Sequence, residues 1–292
     1  MNAPRITYAT LRITPEDDRA YDHAVGQVQS HLGSRFAMYV NGERWLGTGE
    51  EVSHRSPVDT SVVVSHFPKG TREDSKAAID AARDAQGKWS KQAYGERVKI
   101  LRKAADLVIE RRYDLSAWMA WEVGKNRAES LAEINEAAEL IRYYCDQMEQ
   151  NKGFIRPMEP PGPNQETFTV QRPYGVWAVI APWNFPLALA TGMTAGALVT
   201  GNSVVFKPSS ESSVLGYELT QAYKDAGIPP GVFNLVTGPG GTVGAELQEN
   251  PKVDGLIFTG SLAVGLGLYH NFAKNYPKPV ITEMGGKNPD RH

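Results

Sequence analysis

The chain has 292 residues, with Lys+Arg 31 against Asp+Glu 33 and a formal net charge of −2. A balance that close excludes a general electrostatic attraction to nucleic acid or anionic lipid. The apolar runs are short and interrupted, which excludes a transmembrane helix, and one cysteine excludes an internal disulfide framework and a cysteine-built zinc site.

Residues 1–35 carry acids early and lack the apolar segment of a secretory signal. They read as a helical extension of a soluble, cytoplasmic protein. "FAMYVNGERW" (36–45) sets apolar runs about Asn41-Gly42, the signature of a hairpin, and "SVVVSHF" follows as a strand. Three helical stretches come next: "REDSKAAIDAARDAQGKWSKQ", "YGERVKILRKAADLVIERRYDLSAWMAWEVG" and "NRAESLAEINEAAELIRYYCDQMEQN". Their apolar residues recur at three and four, as in Val98, Leu101, Ala105 and Val108. Residues 36–153 thus form an N-terminal, largely helical part. Residues 154–174 break the rhythm with five prolines and a short alternating strand, Thr167 to Val170, and read as an extended arm outside the main fold.

From Gly175 to the end, short apolar strands alternate with helices: "GVWAVIA", "SVVFK", "VFNLV", "VDGLIFTG" and "KPVITE" are the strands. That alternation implies right-handed βαβ crossovers, a five-stranded parallel sheet and helices on both faces, an α/β fold of the Rossmann kind.

Ligands of such sheets bind beyond the C-terminal strand ends, and those ends carry unusual residues here. "APWNFP" (181–186) places the Asn184 amide in a proline-bounded turn, suited to a developing oxyanion; the plain alternative is an ordinary turn asparagine. Lys207, ending "VVFK", suits ribose hydroxyls or a phosphate, or is simply solvated. Gly260 and Ser261 sit between a strand and a helix start, which offers free N–H groups to an anion such as a pyrophosphate. "VITEMGG" delivers the Glu283 carboxylate to a Gly-Gly turn, placed to take a proton. Neither a G-x-G-x-x-G fingerprint nor a P-loop is present, since Asn288 stands where Ser or Thr is needed. The six histidines lack ligand spacing, so no metal is expected.

In this order and spacing, "APWNFPLALATG", "GNSVVFKPS", "AGIPPGVFNLVTGPGGTVG", "DGLIFTGS" and "ITEMGGKNP" resemble the aldehyde dehydrogenase superfamily. The resemblance runs from about "YVNGERW" to Pro289. "EVGKNRAESLAEINEAAELIRYYCDQMEQNKGF" followed by "RPYGVWAVIAPWNFPLALATG" is similar to the 1-pyrroline-5-carboxylate dehydrogenases, which oxidise glutamate semialdehyde to glutamate in proline breakdown. The resemblance implies NAD as cofactor, with Ala181, Pro182 and Trp183 along the cofactor channel and Lys207 at the ribose. Gly240, Gly244, Phe258, Gly260, Ser261 and Val264 would shape the NAD pocket, with Met284 at the nicotinamide. Asn184 would be the oxyanion donor, Glu283 the general base and Glu133 a group near the aldehyde. Two positions depart from the pattern. Ser210 stands where many NAD-specific relatives have a glutamate, which opens the site to NADP. Trp183 stands where the 1-pyrroline-5-carboxylate group often has phenylalanine.

The resemblance also implies a catalytic domain carrying the nucleophilic cysteine, and these residues do not contain it. Cys145 shares a helical stripe with Ile141, Tyr144 and Met148, as a core residue does. The expectation is a truncated chain, inactive alone, that oligomerises through the 154–174 arm. A non-catalytic nucleotide-binding or assembly module, or one chain of a two-chain enzyme, are the other readings.

Overall fold

The computed structural model describes residues 12–47 and 49–286; the end of the "ITEMGGKNP" motif, from residue 287 on, lies outside them. Helix α1 (Pro15–Gln29) lies within residues 1–35. It starts where the chemistry of a helix start is complete: Thr14 Oγ accepts from the Asp17 N–H, the Asp17 carboxylate accepts from the Thr14 N–H, and Pro15 fixes φ in the first turn.

Strands β1 (Ser34–Arg35), β2 (Met38–Val40), β3 (Glu43–Trp45), β4 (Glu51–Arg55) and β5 (Val63–Pro68) follow. β1, β5 and β4 make a small sheet in that order. β2 and β3 form the expected hairpin, with Asn41 at φ 53 and Gly42 at φ 85, both positive as a type I′ turn demands. The helical stretches become α2 (Arg72–Trp89), α3 (Tyr94–Glu110), α4 (Arg112–Val123) and α5 (Arg127–Gln150). Sequence periodicity predicts one helix across α3 and α4; instead Arg111, at φ −91 and ψ 13, separates them. The break redirects the chain so that Leu115, Trp118 and Met119 of α4 also reach the core. The arm is a two-stranded ribbon, β6 (Ile155–Met158) against β7 (Thr167–Val170), with Ile155, Met158, Phe168 and Val170 exposed.

The second half runs β8 (Val176–Ile180), α6 (Ala188–Val199), β9 (Ser203–Lys207), α7 (Ser213–Ala226), β10 (Phe233–Leu235), α8 (Ala245–Glu249), β11 (Gly255–Gly260), α9 (Leu262–Phe272) and β12 (Val280–Met284). The sheet has the order β12-β11-β8-β9-β10-β2-β3. The five expected strands are parallel, but the sheet has seven, not five, because the 36–45 hairpin adds two antiparallel strands beyond β10. Leu235 pairs with Tyr39, and the Asn41 N–H donates to Asn234 Oδ1 at 2.9 Å. Alternate residues serve opposite faces. Trp177 and Val179 meet the α3, α5, α6 and α7 side; Val176 and Ala178 meet α2, α8 and α9.

Helix α6 is apolar nearly all round and buried, so its end groups need partners from elsewhere. At its N-terminus the Glu133 carboxylate accepts from the Leu187 and Ala188 N–H groups. At its C-terminus the buried Arg97 donates to the Val199 carbonyl at 2.9 Å, and Trp89 Nε1 donates to the Leu198 carbonyl at 3.0 Å. An anion at the start and a cation at the end both match the helix dipole. Trp89 is 1% exposed. Trp89→Ala is therefore expected to cost about 3–5 kcal/mol, as large-to-small core changes do. Trp89→Phe, which keeps a large ring and leaves the Leu198 carbonyl its bond from the Gly201 N–H, should cost less, about 1–3 kcal/mol. Urea unfolding of the two variants checks the ordering.

Candidate cofactor and catalytic site

Parallel register levels the strand ends. Ile180 pairs with Lys207 on one side and with Phe258 on the other; Thr259 pairs with Glu283, and Gly260 with Met284. The Ala181 N–H donates to the Lys207 carbonyl at 3.2 Å, joining two of the ends beyond the last paired residues. The sequence-predicted residues Ala181, Pro182, Trp183, Asn184, Lys207, Phe258, Gly260, Ser261, Glu283 and Met284 therefore share one edge of the sheet. Ala181 is buried, whereas Trp183, Asn184 and Glu283 are exposed.

Lys207 is 7% exposed, and its Nζ donates to the Pro208 carbonyl at 3.1 Å. Burial pulls its amine down to about 8. Two residues further, Ser209 Oγ accepts from the Glu211 N–H, and Ser210 is exposed. Ser210 lines a cavity of about 290 Å³ with His54, Lys69, Ser213, Thr237 and Pro239. The larger cavity, about 390 Å³, lies elsewhere, on the sheet face under α5 and α6, and is lined by Tyr144, Met148, Trp177, Met193, Ile257 and Ile281. It holds none of the sequence-predicted residues.

Gly240 and Gly244 bracket a wide turn before α8, and a Cβ at either would meet nothing within 4 Å. The space beside them is open. Ser261 caps α9 through its Oγ, which accepts from the Val264 N–H at 3.5 Å, and Leu262 and Val264 are exposed. Gly265 was not singled out by sequence. A Cβ there would lie 2.4 Å from Met284 Sδ, so its lack of a side chain lets α9 seat against the end of β12.

Glu133 is not at the open edge. It is 0% exposed, with Oε1 accepting from Leu187 N–H at 2.8 Å and Ala188 N–H at 3.1 Å, and with Oε2 paired to Lys125. Burial raises its carboxyl above the usual range, while Lys125 and the two N–H donors pull the other way. A second buried carboxylate does the same work at α7. Glu122 accepts from Val214 N–H at 2.6 Å and Leu215 N–H at 3.0 Å, and burial pushes it up to about 8. Sequence reasoning passed over it; the available signal was an acid continuing the Leu115, Trp118, Met119 stripe of α4. Cys145 is 0% exposed, its Sγ directed at the Val98 carbonyl at 3.8 Å, and burial pushes the thiol up to about 12. Among the described residues there is no His, Cys, Asp or Glu cluster fit for a metal, and no helix long and apolar enough to cross a membrane.

Comparison with known proteins bears on the family and the fold. The sequence profile of the Aldehyde dehydrogenase family matches residues 45–290. The 1-pyrroline-5-carboxylate dehydrogenase of Geobacillus thermodenitrificans is 36% identical over 275 residues, covering 92% of this chain and 53% of the relative. The alpha-ketoglutarate semialdehyde dehydrogenase of Haloferax volcanii is 39% identical over 253 residues, covering 86% and 52%. A crystal structure of 1-pyrroline-5-carboxylate dehydrogenase from Thermus with bound NAD superposes with a TM-score of 0.90 at 35% identity, covering 98% of this chain and 55% of that one. The chain thus spans about half the length of the relatives it matches. With a profile match over most of its length and this fold, the chain belongs to the aldehyde dehydrogenase family.

Proposed function

We propose that this chain is the cofactor-binding half of an NAD-dependent oxidation of an aldehyde to a carboxylic acid, with glutamate 5-semialdehyde as the aldehyde. The observation that carries the reading is the register that levels Asn184, Lys207, Gly260-Ser261 and Glu283 on one sheet edge. The site suits a dinucleotide. Lys207 offers a buried amine, α9 presents an N-terminus beside Gly260, and the open space at Gly240 and Gly244 admits a bulky ring. NAD, when bound, supplies the hydride acceptor. Ala181, Pro182 and Trp183 line its channel, while Ser210, Phe258, Val264 and Met284 shape the pocket. Asn184 donates to the developing oxyanion, and Glu283 takes a proton from the water that releases the acid. Ser210 in place of an acid leaves room for NADP as well as NAD.

Calorimetric titration with NAD tests the reading; well-folded protein that gives no heat at millimolar NAD would sink it. Lys207→Met should weaken NAD about 10–100-fold, the value of one charge-assisted hydrogen bond. The lysine's depressed folded value gives the pH dependence its sign. The amine is charged below about 8 and neutral above, so NAD affinity should fall as pH rises through 8 in the wild type and stay flat in Lys207→Met.

For assembly we infer a homo-oligomer, in the cytoplasm, joined through the β6–β7 arm. The exposed Ile155, Met158, Phe168 and Val170 of the arm support it, since an isolated two-stranded ribbon is marginal in water. Strictly monomeric behaviour in light scattering would count against it.

A further inference from the structure

We propose that Glu133, together with Lys125, is a positioning residue that fixes the Asn184 amide by clamping the turn between β8 and α6. The proposal rests on the reading of Asn184 as oxyanion donor and deepens it. The sequence of the turn explains why a clamp is needed. Pro186 has no N–H, and Leu187 and Ala188 have no side-chain oxygen, so nothing local can cap α6. The two donors are buried and must find acceptors elsewhere. Glu133 reaches them from α5, a different element, and so ties the helix start to the α5 scaffold.

Lys125 extends the clamp. Its Nζ pairs with Glu133 Oε2 and also sits 3.5 Å from the centroid of the Phe185 ring. Phe185 is the immediate neighbour of Asn184. On the other side, the Ala181 N–H is bonded to the Lys207 carbonyl, and Pro182 restricts the backbone. The segment 181–188 is therefore held at both ends and at Phe185, with Trp183 and Asn184 projecting exposed between the fixed points. Both Glu133 oxygens are already engaged at a position 0% exposed, which suits holding the turn rather than touching an aldehyde.

Nuclear magnetic resonance on residues 1–292 separates a clamp from a plain buried cap. The readouts are the side-chain amide signal of Asn184 and amide exchange at Leu187 and Ala188, with the Val264 amide and the urea midpoint as controls. Lys125→Met keeps both N–H bonds but removes the pairing and the ring contact. It should shift and broaden the Asn184 signal while exchange at Leu187 and Ala188 changes less than about threefold. Glu133→Ala should shift Asn184 further and speed exchange at both amides about tenfold or more; Glu133→Gln should restore much of that protection. An Asn184 signal that stays put in Lys125→Met, with Val264 also unmoved, overturns the proposal, and this holds even where Glu133→Ala fails to fold. Loss of protection at Leu187 and Ala188 with Asn184 unmoved overturns it equally, leaving Glu133 as a helix cap alone. A silent NAD titration would instead remove the functional reading while leaving the clamp measurable.

Discussion

Residues 1–292 mixed with NAD and glutamate 5-semialdehyde are expected to yield no NADH above the rate of the uncatalysed mixture. Aldehyde oxidation of this kind needs a thiolate to form the hemithioacetal, a hydride acceptor, an oxyanion donor and a base for deacylation. On the proposed reading the sheet edge provides for the last three. The sole cysteine in the sequence is Cys145. It lies inside α5 against the Val98 carbonyl, 0% exposed, with its thiol pushed up to about 12. At neutral pH the sulfur is then held as the thiol, and it has no access to substrate. Without the hemithioacetal the other three groups have no bound hydride donor to act on, and groups that act as a unit are strongly non-additive. Absorbance at 340 nm checks this. Robust activity abolished by Cys145→Ser would overturn the assignment, whereas Cys145→Ser with unchanged NAD binding is the expected result.

The parts that sequence made legible are those where burial is two-sided and local. Strands β8 and β9 read as apolar runs because helices cover both faces, so they stand out from the amphipathic helices around them. The Asn41-Gly42 turn was readable because only residues tolerant of positive φ fit there. What escaped depends on partners distant in sequence. Tyr39 pairs with Leu235, and Asn41 is held by Asn234, so the hairpin's place in the large sheet could not be seen from either segment alone. The break at Arg111 carries no glycine or proline to announce it. Glu122 and Glu133 look like solvated helix acids until α6 and α7 arrive with buried N–H groups that need an acceptor. The candidate site was legible as a set of strand ends because a parallel register converts sequence position into a common edge. The scaffold behind that edge was not.

Glu283 carries the largest effect once a thiol is supplied. It lies on β12, an edge strand, paired in register with Thr259 and one residue before the level of Gly260, and its side chain is exposed. Joining residues 1–286 to a cysteine-bearing half of a relative should recover turnover, on the proposed reading. Glu283→Gln should then lower steady-state turnover about 10²–10⁴-fold, the usual contribution of a positioned general base. The amide keeps the shape and the hydrogen-bonding oxygen of the side chain but cannot accept the proton of the attacking water. Attack by the thiolate and hydride transfer come before that water is needed. Rapid mixing should therefore show a burst of about one NADH per site in Glu283→Gln, followed by a slow phase that the wild type lacks. A burst that disappears together with turnover would place Glu283 before hydride transfer, and an unchanged steady state would remove it from the chemistry. The order of events makes the burst the deciding observable. A side chain needed only to build the site would suppress both phases, and only a base for deacylation divides them.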